Sequence, residues 1–261
     1  MVENSRPEPE FYVGWEERAP RSSVRSLRVV ISLVLLFSFG SAWVLGRGNA
    51  KLPVAGFDFG APRSFVGTLF GAPVPLLSVE RPGLVQSFPA TSEYPLTGFG
   101  KFGAEPLIAP YLGKRVALEG TLIYRDGKTL IELVQGSIRP MEGEGRRASA
   151  PPVAERLGIH TLRRSIVDSK CFFGVMNPGF AKSHRACAAR CIAGGIPPVL
   201  WVRGGPGPDR YLLLLSSKGE PIGESLLELV AEPVEIRGEI VRYGDLLALF
   251  ADPETYTRVL Q

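Results

Sequence analysis

Arg115-Val-Ala-Leu-Glu-Gly-Thr-Leu-Ile-Tyr-Arg125, then Asp126-Gly127, then Lys128-Thr-Leu-Ile-Glu-Leu-Val134 is the stretch on which the fold turns. Apolar and polar residues alternate on both sides of the Asp-Gly pair, which is the period of a strand with one buried face. Asp-Gly tolerates the positive φ of a tight turn, so the stretch predicts a β-hairpin. The same design returns near the C-terminus. Pro233-Val-Glu-Ile-Arg-Gly-Glu-Ile-Val-Arg-Tyr243 turns at Gly244-Asp245 and comes back through Leu246-Leu-Ala-Leu-Phe250. Val116, Leu118, Gly120, Leu122 and Ile123 align in spacing with Val234, Ile236, Gly238, Ile240 and Val241. A pattern used twice with a mid-strand glycine suggests duplication of a small β-domain, the glycine marking a place where the strand bends.

Short strands are expected on either side of these hairpins. Arg63 to Phe70 and Val74 to Glu80 precede the first, and Leu162 to Val167, Pro197 to Val202 and Tyr211 to Leu215 precede the second. Ser183 is an expected N-cap for a helix from His184 to Ala193 that stops at Gly194-Gly195, and residues 223–230 form a second short helix. These Gly-bent hairpins resemble the small-barrel, OB-fold-like modules of membrane-anchored extracytoplasmic bacterial proteins. The resemblance implies a mainly β chain with two tandem OB-like barrels, the second carrying an inserted helix. Residues 47–140 form the expected first barrel and 156–261 the second. The Gly-, Glu- and Pro-rich segment 141–155 has the composition of a linker.

One segment stands apart from the globular pattern. Val29 to Gly46 holds no charged residue over 18 positions and spans about 27 Å as a helix, close to the hydrocarbon thickness of a bilayer. Arg18, Arg21, Arg25 and Arg28 precede it, and only Arg47 and Lys51 follow closely. The asymmetry places the N-terminus in the cytoplasm and the barrels outside, in a periplasmic compartment. A cleaved signal peptide is the alternative, with Ser38 to Ala42 as the small-residue site. Residues 1–28, with several prolines and no apolar period, read as a disordered tail. Within that tail, Phe11, Tyr12 and Trp15 are candidates for docking on a partner subunit or resting at the membrane interface.

Function is sought in the stretch from Asp168 to Cys191, which holds all 3 cysteines and one of the 2 histidines. His184, Cys187 and Cys191 fall at i, i+3 and i+7, on one helical face. The first reading is a disulfide from Cys171 to Cys187 or Cys191, closing a loop of about 15–20 residues worth on the order of 3 kcal/mol. The second keeps Cys171, His184, Cys187 and Cys191 as ligands of zinc or copper, with Met176 as a further thioether. The third is thiol exchange, with Arg185 and Arg190 lowering the Cys187 pKa. Unbonded, purely structural cysteines are the fourth.

Other signals are weak. His160 reads as a surface residue, and Gly98-Phe-Gly-Lys-Phe-Gly103 as a loop packing its two phenylalanines, with ligand contact as the alternative. No nucleophile triad, phosphate loop or metalloprotease helix is present, so no catalytic machinery is expected. A net charge of +4 across 261 residues, dispersed along the chain, argues against nucleic acid. The expected role is a non-catalytic accessory or scaffold subunit of a membrane complex, such as a respiratory or electron-transfer one. The alternative is a metal- or thiol-handling assembly factor acting through residues 171–191.

Overall fold

The computed structural model describes residues 21–49, 55–81, 91–141, 151–204 and 209–259. The chain divides into a helical unit, 1–53, and a β unit, 54–261. Phe11, Tyr12, Trp15 and most of the expected linker, 142–150, lie outside the described residues.

Helix α1 runs Arg21–Asn49, so it exceeds the expected 29–46 window at both ends. Its first turns take up residues 21–28, which the sequence assigned to the disordered tail. No proline or glycine interrupts them, and propagating an existing helix is far cheaper than nucleating one. Within it Ser23–Gly48 is long and apolar enough to cross a membrane. Arg47 closes its last turn, with its guanidinium 4.3 Å from the Trp43 ring centroid.

The β unit contains two closed five-strand barrels. The first is built from β2 (Arg63–Phe70), β3 (Leu76–Glu80), β4 (Thr91–Thr97), β5 (Arg115–Arg125) and β6 (Lys128–Leu133). Around the barrel the order is β2, β3, β4, β6, β5 and back to β2; β4 and β6 are parallel and the other pairs antiparallel. Two short strands, β1 (Ala55–Phe57) and β7 (Arg139–Pro140), also pair with β5. A one-turn helix, α2 (Glu105–Ile108), lies between β4 and β5.

The second barrel repeats the scheme. Its strands are β8 (Ala154–Asp168), β9 (Pro198–Val202), β10 (Arg210–Leu215), β11 (Pro233–Tyr243) and β12 (Leu246–Phe250). The order is β8, β9, β10, β12, β11 and back to β8, with β10 and β12 parallel. A terminal strand, β13 (Thr257–Arg258), flanks β11. Helix α3 (Arg185–Ala193) is inserted between β8 and β9, and a 3-10 turn at Glu224–Leu229 separates β10 from β11.

Both hairpins fall where the alternation places them, with Arg125 opposite Lys128 and Tyr243 opposite Leu246. The matched glycines do the same job. A Cβ on Gly120 would lie 2.2 Å from Ile131 Cγ2, and one on Gly238 would lie 2.5 Å from the Phe250 carbonyl oxygen. In each barrel the returning strand passes too close for any side chain at that position.

The barrels are not beads on a linker. Each has its own core, around Leu69, Leu96 and Leu118 in the first and Ile166, Leu200 and Ile236 in the second. A third cluster is shared: Leu76, Ile123 and Leu130 of the first barrel pack with Val167, Phe172 and Leu213 of the second. The tip of the first hairpin enters this cluster. Arg125 is 1% exposed, and its guanidinium lies 4.2 Å from the Phe172 ring centroid. The neighbouring Asp126 accepts a hydrogen bond from the Tyr211 hydroxyl. Burial lowers the pKa of Arg125, against the pull of Tyr211, Asp126 and Asp209. Through this shared apolar cluster residues 54–261 form one unit.

Candidate metal centre

Strand β8 ends at Asp168, and the chain enters a π turn at Cys171–Val175. Fully buried Asp168 organises the entry: Oδ1 accepts the Cys171 backbone N–H at 2.7 Å, and Oδ2 lies 3.1 Å from His184 Nε2. His184 ends a 3-10 turn, Lys182–His184, and occupies the N-cap position of α3 without a side-chain cap bond. The expected Ser183 cap is therefore not formed. The 3-10 turn moves the helix start past Ser183, and His184 turns inward to the carboxylate instead.

Helix α3 delivers the other two thiols. The Sγ of Cys171 lies 4.0 Å from that of Cys187 and 3.8 Å from that of Cys191. All three cysteines are free. These separations exceed the bond length of about 2.05 Å, so the expected staple from Cys171 to Cys187 or Cys191 is not present. Three sulfurs meet around one point, and no single pair is drawn together. Cys171 and Cys191 are buried, and Cys187 is half-buried at the edge.

The four ligands expected from sequence do not form one set. Among the described residues, the ligand atoms that lie within 4.8 Å of one another fall into two groups, Cys171–Cys187–Cys191 and Asp168–Cys171–His184. The groups share Cys171. His184 belongs to the second because Asp168 fixes its ring. Met176, the suggested extra thioether, is 44% exposed.

The cation of the site comes from the other barrel. Lys101 lies in the loop between β4 and α2, and its Nζ donates to Cys187 Sγ at 2.7 Å and reaches Cys191 Sγ at 3.7 Å. Arg185, expected to act on Cys187, instead bonds Glu232 at 3.0 Å. The hydrogen bond to Cys187 raises the Lys101 pKa, which keeps its ammonium charged. Cys171 Sγ and Cys191 Sγ lie within hydrogen-bonding reach of each other. Hydrogen bonding to Cys191 together with burial pushes the Cys171 thiol up, and the same bond holds Cys191 below its usual value. The nearby Lys101 ammonium also favours a lower Cys191 value.

That loop, Gly98 to Gly103, departs from the expected packing of its two phenylalanines. Phe99 and Phe102 are 72% and 69% exposed and do not pack inward. The loop is held by its backbone. Buried Lys170 donates to the carbonyls of Gly98 and Gly100, each at 2.7 Å, and pairs with Glu132 of β6. The Gly103 N–H donates to the Gly194 carbonyl at 2.8 Å. A Cβ on Gly194 would lie 1.9 Å from the Lys101 carbonyl oxygen, so the glycine pair that ends α3 also admits the loop of the first barrel. A lone cation between glycines and aromatics was the only sequence sign of Lys101. Asp168 opens the stretch that ends at Cys191, but nothing in the sequence marks it as the partner of His184. His160 is exposed, as expected, with Nε2 3.2 Å from the Leu157 carbonyl.

A second polar cluster lies in a cavity of about 110 Å³ lined by both barrels, among them Arg81, Glu93, Lys128, Ser169, Tyr211 and Asp245. Glu93 Oε1 accepts from Ser78 at 3.0 Å and Thr91 at 2.7 Å, whereas Oε2 is buried without a partner. Burial raises the Glu93 pKa in spite of those bonds and of Arg81. A carboxyl whose folded pKa exceeds its unfolded value stabilises fully below the unfolded value, and that contribution is lost as pH rises through the folded one. Glu93→Gln keeps an oxygen for Ser78 and Thr91 and removes the charge. Thermal melts should show the variant more stable than the parent at pH 7–8, with the gain disappearing near pH 4. A gain independent of pH would refute the assignment.

Compared with protein-family models, with curated proteins and with solved structures, the chain has no match, and the reading of this centre rests on its own residues.

Proposed function

We propose that this protein is a membrane-anchored, extracytoplasmic pair of OB-like barrels that handles a thiophilic metal at Cys171, Cys187 and Cys191. The carrying observation is the convergence of three free sulfurs, 3.8 and 4.0 Å from Cys171, under an ammonium supplied by the other barrel. Thiol exchange needs two sulfurs, and a metal accounts for the third. The identical strand order of the two barrels, each with one parallel pair, supports the OB-like, tandem reading. The apolar helix Ser23–Gly48 supports a one-pass anchor, and the arginines before it support a cytoplasmic N-terminus.

The setting we propose is a membrane complex, of respiratory or electron-transfer type, to which this chain is an accessory or assembly partner. Phe99 and Phe102, exposed on either side of Lys101, offer a surface through which a partner would approach the thiols. Metal analysis with thiol titration on the purified full chain tests the central claim. Stoichiometric metal that is lost in Cys187→Ser is the expected result. A quantitative disulfide at Cys171 with no bound metal would overturn it.

A further inference from the structure

Resting on that reading of the centre, we infer that its cation is monovalent copper. The three sulfurs bind it in a three-coordinate arrangement, and Lys101 occupies the open face as a charge partner for the thiolates. The sulfur triangle is already of the right size. A metal about 2.3 Å from each of three sulfurs sets them about 4.0 Å apart if planar and about 3.8 Å apart at tetrahedral angles. The separations from Cys171 are 4.0 and 3.8 Å, and the third edge is within 4.8 Å. Size therefore admits several soft metals, and coordination number separates them.

Zinc completes structural sites with a fourth protein ligand, and its three-ligand sites keep a water. Among the described residues, no further His, Cys, Asp or Glu joins the three sulfurs in one group. The His184 imidazole is held by Asp168 at 3.1 Å and groups with Asp168 and Cys171 instead. Over the Cys187 and Cys191 sulfurs lies the Lys101 ammonium, which carries no lone pair to donate to a metal. It does place a positive charge beside sulfurs that bind a metal as thiolates. Three soft donors, no fourth ligand and a cationic cover describe a site for monovalent copper, which soft thiolates select.

Entry is from the half-buried Cys187 side, because Cys171 and Cys191 are buried. On loading, each sulfhydryl proton that remains is released to solvent as its sulfur bonds the ion. Copper stays monovalent throughout, so no oxidant or reductant is consumed.

Anaerobic titration of the full chain in detergent micelles tests this, with Cu(I) supplied from a competing chromogenic chelator and Zn(II) in parallel. One Cu(I) per chain is expected, preferred over Zn(II), with three sulfurs about 2.3 Å from the metal by X-ray absorption. Lys101 sits on a surface loop, so Lys101→Met tests its role without disturbing a core. The variant should keep the stoichiometry and bind about tenfold more weakly, the loss of one charge-assisted contact. Preference for Zn(II) in a four-coordinate site would overturn the copper assignment and leave the metal-handling role standing. Binding of neither metal would overturn both. Unchanged affinity in Lys101→Met would remove Lys101 from the site. The wild-type metal preference is read without any variant, so misfolding of a cysteine substitution does not affect it.

Discussion

Lys170→Met is expected to lower stability by about 3–5 kcal/mol, the cost of breaking a buried ion pair from one side. The Lys170 side chain is 2% exposed and pairs with Glu132, itself 13% exposed, while donating to the Gly98 and Gly100 carbonyls. Removing the ammonium strands one largely covered carboxylate and two carbonyl oxygens at once. Chemical denaturation of the full chain should show the midpoint falling with no change in slope. Because Lys170 anchors the loop that carries Lys101, the variant should also lose the Lys101 contact to Cys187, read as weaker Cu(I) binding. A companion Glu132→Leu change should recover part of the stability and none of the Cu(I) affinity. The two carbonyls stay unpaired, and the loop stays loose. A loss below about 1 kcal/mol, the range of a surface pair, would show that the ion pair is solvated.

Gly194→Ala is the second large effect. Its Cβ would sit 1.9 Å from the Lys101 carbonyl oxygen and 3.1 Å from that carbonyl carbon, so backbone and not a pliable side chain must yield. Overpacking of this kind costs about 1–3 kcal/mol. The loop must lift from the end of α3, breaking the bond between the Gly103 N–H and the Gly194 carbonyl, now 2.8 Å. Lys101 is then carried off the sulfurs although no residue of the centre has changed. The measurement is paired: a lower melting temperature, and Cu(I) affinity reduced to that of Lys101→Met. Weakened stability with undiminished affinity would mean that Lys101 reaches the thiols without the glycine contact.

The division between what was legible and what was not follows the range of the interactions. Local patterns were readable. Alternation around Asp126-Gly127 and Gly244-Asp245 placed both hairpins, since each is a contact between near neighbours and depends only on strand period and turn chemistry. The helix stop at Gly194 was readable for the same reason. The 3-10 turn before α3 was not, and it displaced both the Ser183 cap and the proposed helical face for His184. The first two turns of α1 were missed because composition in a charged segment does not register how cheaply an existing helix extends.

By itself, the sequence determined the strand periods, the two turns, the repeated mid-strand glycine, the apolar helix and the gathering of every cysteine into one segment. Tertiary structure decided that the barrels share an apolar cluster, that three thiols converge without bonding, and that His184 serves Asp168. It alone brought Lys101 to Cys187 across 86 positions of chain. Periodicity records which face of an element is buried, and says nothing of which distant loop is buried against it. The meeting of Lys101 with the thiols depends on Lys170, Glu132 and the Gly103–Gly194 contact acting together. None of those residues carries a sign of its partner until the two barrels have closed and packed.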